Sequence, residues 1–151
     1  MSGALPNTDF TAINIQSNQR WSFTIQYQTM TRADFAPIMA FMIKQRSQKE
    51  NFTVTFPSYL NALGNESGTL QVNGVHAVAD TTIAIDGFAG DSAGRLKAGD
   101  FIKFNSHSKV YMVVADATSS SNASTVTIEP PLTTALANNG AVTYDSVPFT
   151  V

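Results

Sequence analysis

The chain has 151 residues, a length that suits one compact domain or a small domain that carries a second one inserted in a loop. Charged residues make up 13% of it and the net charge is −2, which gives no electrostatic footprint for sequence-specific nucleic-acid binding or for an anionic membrane. The absence of cysteine excludes disulfides, thiolate metal sites and cysteine nucleophiles.

The first recognisable element is a strand at residues 20–28. Four apolar residues alternate there with four polar ones, namely Trp21, Phe23, Ile25 and Tyr27 against Ser22, Thr24, Gln26 and Gln28. This period of two is typical of a half-buried strand. We therefore expect one face of this strand to lie in a core, and a charge placed at Ile25 to unfold the domain.

A helix follows, and Thr31 and Asp34 are both candidates for its N-cap. Pro37 favours Asp34, because the proline then falls in the first turn, where its missing N–H matters little. An apolar stripe follows with helical spacing at Phe35, Ile38, Met39 and Met42. The helix is expected to end through Lys44, Gln45 and Arg46, where the cations suit the C-terminal dipole.

Residues 51–57 alternate again, with Phe52, Val54 and Phe56 on one face. The last residues alternate in the same way, at Val147, Phe149 and Val151. We expect this terminal strand to pair with the first domain. The predicted organisation is therefore a strand-helix-strand assembly domain of residues 1–57 plus 146–151, with residues 58–145 as an insertion.

The insertion reads as a series of short strands separated by turns. The apolar cores of the strands lie at Leu70/Val72, Ile83/Ile85, Phe101–Phe104, Val110–Val114, Val126/Ile128 and Val142/Tyr144. Clusters such as Asn73-Gly74 and Asp86-Gly87 punctuate them. The predicted fold class is mostly β (α+β), a small sheet-plus-one-helix domain with an inserted small β-barrel or β-sandwich.

The sequence nominates no catalytic, cofactor-binding or metal-binding residue. His76 and His107 both stand in turn-like segments without metal-ligand spacing, so we interpret them as solvated loop residues. Asp100 and Glu129 are the carboxylates next to apolar strands, and a turn role, with the side chain bonded to nearby backbone N–H groups, explains both better than catalysis. No nucleophile elbow or phosphate loop is present. We expect no enzyme and no cofactor.

Targeting signals are also missing from the sequence. The first residues have neither a basic region nor an apolar core, and the longest apolar run, Tyr111 to Ala115, is too short to cross a bilayer. We expect synthesis and folding in a cytoplasm, with no membrane partner.

Two stretches resemble proteins of tailed bacteriophages. Residues 20–46 (RWSFTIQYQTMTRADFAPIMAFMIKQR) with 51–57 (NFTVTFP) look like the minor-tail and distal-tail group. Residues 96–113 (LKAGDFIKFNSHSKVYMV) with 125–132 (TVTIEPPL) are similar to the inserted β-domain of tail and baseplate structural proteins. That group carries a longer arm between its first strand and the Trp-led strand, whereas here Ile15–Gln19 runs directly into Arg20. Either this chain has a short turn there, or an arm segment near Gln19-Arg20 is missing from the sequence, so arm-mediated contacts stay open.

The resemblance implies a virion structural protein near the distal end of a tail, assembled in the host cytoplasm. Its implied partners are copies of itself in a homohexameric ring and other phage tail and baseplate proteins. The low content of charged residues is consistent with such an assembly, because it indicates a surface that partners partly cover. Hub, wedge and connector positions all stay open. The alternative is a carbohydrate-binding adhesin module of a phage tail or cell surface, in which exposed aromatic and Asn/Asp side chains hold a glycan.

Overall fold

The computed structural model describes residues 21–46 and 51–151 of the chain. By internal contacts the chain divides into two units, Met1–Glu50 and Asn51–Val151. The expected discontinuous domain, which joins residues 51–57 and 146–151 to the helix, stays a prediction.

The described part of the first unit contains one helix, α1, at Arg32–Lys44. Its N-cap is Thr31 and not Asp34, so the prediction of the cap is wrong. The Thr31 hydroxyl accepts the Asp34 N–H at 3.3 Å and donates to the Asp34 carboxylate at 2.6 Å. This reciprocal pair satisfies the helix start, while Pro37 lies inside the helix.

The end of α1 agrees with the prediction. Lys44 is the last helical residue and Gln45 is the C-cap, with its N–H bonded to the carbonyl of Phe41. Arg46 takes a positive φ of 50° and ends the helical path.

The strand predicted at residues 20–28 is not formed in the described residues 21–28, and Arg20 lies outside them. The side chains of Ile25 and Tyr27 are each 54% exposed. Alternation makes one face of a segment apolar, but a strand also needs a neighbour for its backbone hydrogen bonds. The described part of the chain pairs no strand with this segment.

The second unit begins with a two-stranded antiparallel sheet. Strand β1 at Thr53–Val54 pairs with the chain's last strand, β8, at Phe149–Thr150. Val54 lies opposite Phe149 in this register. The C-terminal segment therefore pairs with residues 51–57, which form one part of the predicted first domain. A short 3₁₀ turn at Pro57–Tyr59 leads away from β1.

Six further strands form an antiparallel sheet in the order β2-β3-β6-β5-β4-β7. They are β2 (Gln71–Val72), β3 (Thr82–Asp86), β4 (Phe101–Phe104), β5 (Tyr111–Val113), β6 (Ala123–Glu129) and β7 (Val142–Thr143). Each one contains or overlaps an apolar run from which a strand is predicted. The mostly-β fold class with one helix is confirmed.

Main-chain bonds between the two outer strands almost close this sheet into a barrel. The Val72 N–H donates to the Gly140 carbonyl at 2.9 Å, the Asn139 N–H donates to the Val72 carbonyl at 2.8 Å, and the Val142 N–H donates to the Leu70 carbonyl at 3.0 Å. Closure leaves few exposed strand edges, which protects a small β-protein against edge-to-edge aggregation.

Alternate side chains of the barrel strands point into one core. The fully buried set, with essentially no exposed surface, includes Val72, Ile83, Ile85, Ile102, Phe104, Val113, Val126 and Ile128. In the β3–β6 register Ile83 lies opposite Val126, so inward positions of both strands meet. Burial of each such side chain contributes about 1.5–3 kcal/mol, and together they hold the barrel.

Candidate functional site

One small cavity lies near the start of β4, at the end of the barrel where the chain enters. Its volume is about 70 Å³, and Tyr59, Leu63, Asp100, Phe101 and Tyr144 are among its lining residues. Small-molecule pockets usually enclose about 300–1,000 Å³. This cavity is therefore too small to hold a metabolite or a cofactor.

The acidic group in this cavity, Asp100, is fully engaged with the backbone. Its carboxylate accepts N–H bonds from Leu63 at 2.5 Å, from Gly64 at 3.3 Å and from Lys97 at 2.7 Å. Its side chain is buried, with the residue 3% exposed. The predicted turn role of Asp100 is confirmed, and both of its oxygens hold loops in place. Glu129, the other carboxylate considered, is the exposed last residue of β6.

Glu66 is a second buried carboxylate, and the sequence does not predict a role for it. Its Oε1 accepts the N–H groups of Ser67 at 3.0 Å, Gly68 at 2.6 Å and Ala89 at 2.9 Å. Its Oε2 has no hydrogen-bond partner among the described residues and lies 3.8 Å from the Nε of Arg95. Glu66 thus joins the connector before β2 to the loop after β3, a structural role.

His76 is half-buried and tied into the main chain. Its Nε2 accepts the Ala84 N–H at 3.2 Å, which leaves Nδ1 to face the Asp80 carboxylate at 3.6 Å. The backbone of His76 exchanges two hydrogen bonds with Leu136, at 2.9 and 3.1 Å. The residue therefore fixes the loop between β2 and β3.

His107 is buried, so the interpretation of it as a solvated loop residue is wrong. The residue is 5% exposed, and its Nδ1 lies 2.8 Å from the Tyr111 hydroxyl. Burial lowers the pKa of His107 below its usual value, while a backbone interaction with Ala135 acts in the opposite direction. Its loop folds inward because Phe104 and Tyr111 pack against the imidazole ring.

Metal-ligand clusters and membrane-spanning helices are both absent from the described residues. Within residues 21–46 and 51–151 no three His, Asp or Glu side chains cluster as metal ligands. No described helix has the length and apolarity needed to span a bilayer.

The described part of the first unit presents an apolar helix surface. No residue of α1 is buried, although its sequence is apolar on every side. Ile43 is 69% exposed, and Met39, Phe41 and Met42 are also exposed. A helix that is apolar all round is normally covered by other protein. This surface, termed the α1 surface and comprising these four residues, is the candidate interaction site.

Comparison with known families settles which group the chain falls into. A family model described as "Distal tail protein pb9, B domain" matches residues 60–147, which is more than half of the chain. The chain belongs to this distal tail protein family. No curated protein matches it.

The match coincides with the barrel, from the connector before β2 to the residues after β7. The predicted resemblance to phage distal tail proteins is thereby confirmed. Membership supports a structural role in a phage distal tail and makes the chain a component of the virion tail. That role agrees with a barrel whose described buried polar groups serve to hold loops.

Proposed function

We propose that this chain is a subunit of a ring at the distal end of a phage tail, assembled from copies of itself in the host cytoplasm. In this proposal the ring connects the tail tube to baseplate or receptor-binding proteins. The family match supports the location, and the α1 surface supports the assembly. The chain acts by binding other proteins and carries out no catalysis.

The α1 surface is the observation that carries the proposal. Transfer of a side chain such as Ile43 or Met42 from water into an interface contributes about 1.5–3 kcal/mol each. A specific interface buries about 800 Å² per partner, so α1 would supply its apolar centre and other residues its rim. A heterologous contact of this kind closes into a ring when its rotation divides a full turn. Six copies follow from the resemblance to ring-forming tail proteins.

The carbohydrate-binding alternative gains no support from the matched domain. All five aromatic residues within residues 60–147 are buried or half-buried, namely Phe88, Phe101, Phe104, Tyr111 and Tyr144. The barrel thus lacks an exposed ring on which a sugar could stack. The proposal rests on protein–protein contact for this reason.

Native mass spectrometry of the purified full-length chain tests the assembly. We expect a ring of about six 16.2 kDa chains, and we expect Ile43→Asp to weaken association at least tenfold, because a carboxylate would have to be buried in the interface. Val75→Asp is the matched control, since Val75 is 78% exposed on the barrel and lies outside α1. Circular dichroism checks that both variants fold.

Two outcomes would refute the proposal. The first is a wild-type chain that stays monomeric at high concentration and is missing from purified tails. The second is an Ile43→Asp chain that assembles as well as the Val75→Asp chain. The second result alone would remove α1 from the interface and leave the family assignment untouched.

A further inference from the structure

A ring of identical chains needs two different contact surfaces on each chain. When two copies join through the same surface, the contact is isologous and closes as a dimer. A ring requires a heterologous contact, in which one surface of each chain binds a different surface of the next chain. The α1 surface supplies one of these two surfaces, so its complement lies elsewhere on the chain.

The segment that leads into α1 carries a second apolar surface. Ile25 and Tyr27 are each 54% exposed, and they continue the alternating apolar face that Trp21 and Phe23 begin. We call the apolar face of residues 21–27 the pre-helix surface. These residues are not part of a strand, although their alternation favours one. An extended segment of this kind forms a stable structure when it binds against other protein.

The helix of the same chain does not cover the pre-helix surface. No residue of α1 is buried, and more than half of the surface of both Ile25 and Tyr27 is in contact with water. Both surfaces are therefore open in the single chain. Another copy can bind each of them without displacing a contact of Ile25, Tyr27 or Ile43 with a core.

The two surfaces match in charge and in length. Residues 21–31 contain no charged side chain, and neither do residues 35–43 of α1. A contact between them buries apolar groups without removing a charge from water, as in the centre of a specific interface. The 13 residues of α1 span about 20 Å, and residues 21–27 span about 23 Å when extended. One extended segment can thus lie along the whole helix.

The barrel offers weaker candidates for the complement. Its unit exposes two apolar pairs, Leu60/Leu63 and Val75/Val78. Each pair lies beside a carboxylate that holds its loop, because Asp145 accepts the Ala62 N–H and Asp80 accepts the Ala77 N–H. Burial of either pair in an interface would also remove that carboxylate from water, which opposes binding.

We propose that the pre-helix surface of one copy binds the α1 surface of the next copy, and that this heterologous contact builds the ring. The inference rests on the proposed ring and names the second half of its interface. In an extended segment Ile25 and Tyr27 point to the helix of the neighbour, while Thr24, Gln26 and Gln28 point to the other side. Each chain uses both surfaces, one towards each neighbour.

A mixture of two variants tests the contact on the full-length chain. We expect Ile25→Asp and Ile43→Asp each to weaken self-association at least tenfold, because each buries a carboxylate in the interface. Mixed in equal amounts, they should form a heterodimer and nothing larger, since each retains the surface that the other lacks. Native mass spectrometry with one variant isotope-labelled identifies the heterodimer. Gln26→Asp is the matched control and should assemble like the wild type.

The lack of cysteine in the chain allows a second measurement by cross-linking. Ile25→Cys and Ile43→Cys each introduce one thiol at an exposed position, so both substitutions leave the core intact. A short bifunctional maleimide should join the two variants when they are mixed. Either variant alone should give at least tenfold less cross-linked dimer. An α1 surface that binds another α1 surface predicts the opposite, namely cross-linking of Ile43→Cys to itself.

The outcomes separate this contact from the ring itself. A wild-type chain that forms rings while Ile25→Asp assembles as well as Gln26→Asp would overturn the contact and leave the ring in place. A wild-type chain that stays monomeric would overturn the ring and the contact together. If Ile25→Asp fails to fold, cross-linking decides, and the absence of cross-links between Ile25→Cys and Ile43→Cys in assembled rings contradicts the proposal.

Discussion

Glu66 and Ala89 are separated by 23 residues in the chain, yet the Ala89 N–H donates a 2.9 Å hydrogen bond to Oε1 of Glu66. The same oxygen accepts the N–H groups of Ser67 and Gly68. A single buried carboxylate thus satisfies three backbone donors from two loops. These three hydrogen bonds all depend on that one side chain, which therefore links the two loops.

Removal of this carboxylate should destabilise the barrel. We expect Glu66→Ala to lower the free energy of unfolding by about 2–4 kcal/mol, because three backbone N–H groups lose their acceptor and the Arg95 guanidinium loses the carboxylate beside it. Urea denaturation followed by far-ultraviolet circular dichroism measures the change. Glu129→Ala, which removes an exposed carboxylate, is the control and should stay within about 0.5 kcal/mol of wild type. Equal stabilities of the two variants would contradict this role.

The connector before β2 also leaves no space for a side chain at Gly68. A Cβ at Gly68 would lie 2.2 Å from the Gly87 carbonyl oxygen and 2.7 Å from the Ala89 nitrogen. Both neighbours are backbone and cannot rotate away, so we expect Gly68→Ala to lose about 3 kcal/mol or more, or to fail to fold. Thermal denaturation measures this loss.

Gly74→Ala is a control that separates contact from backbone strain. Gly74 has a positive φ of 94°, but a Cβ there meets nothing within 4 Å. Its substitution should therefore lose only the strain of the left-handed conformation, about 1–2 kcal/mol. A Gly74→Ala chain that is less stable than Gly68→Ala would show that the close backbone approach is not the deciding factor.

The barrel could be predicted from the sequence because its strands are short, alternating and separated by turn residues. Ile83 and Ile85 alternate with the smaller or polar residues Thr82, Ala84 and Asp86, and both isoleucines are fully buried. The segment around Ile25 has the same pattern and forms no strand in the described residues. The pattern records which face is apolar, whereas strand formation also depends on a partner that local sequence does not reveal.

The buried polar groups could not be predicted for a related reason. His107 and Glu66 acquire their surroundings from residues far along the chain, such as Thr133 and Ala89. The sequence feature that points to the surroundings of Glu66 is the pair of glycines on either side of it, Gly64 and Gly68. Each of them permits the close approach of another backbone segment. The predicted helix cap is wrong for a different reason: the position of Pro37 favours Asp34, whereas the two hydrogen bonds between Thr31 and Asp34 make Thr31 the cap.

Ile25 and Ile85 provide a matched pair of variants, because the first is exposed and the second is buried. Alternation alone predicts that Ile25→Asp unfolds the first domain, but a side chain that is 54% exposed can carry a solvated carboxylate. We expect Ile25→Asp to change the free energy of unfolding by less than about 1 kcal/mol. Ile85→Asp places the same group in the barrel core and should cost several kcal/mol. Urea denaturation distinguishes the two, and unfolding by Ile25→Asp would restore the strand interpretation.

Tyr144 should make the barrel sensitive to alkaline pH. Its hydroxyl donates to the Gly68 carbonyl at 2.8 Å, and desolvation, with smaller contributions from the charges of Asp145 and Glu66, raises its pKa above the usual value of 10.0. Since the folded chain binds this proton more tightly than the unfolded chain, the corresponding stability is complete below pH 10 and declines as the pH rises through the folded-state pKa. Absorbance at about 295 nm, the band where tyrosinate absorbs, should show a late-titrating tyrosine that Tyr144→Phe removes. Tyr111→Phe is the control for loss of a hydroxyl, and a Tyr144→Phe titration identical to that of wild type would contradict the assignment.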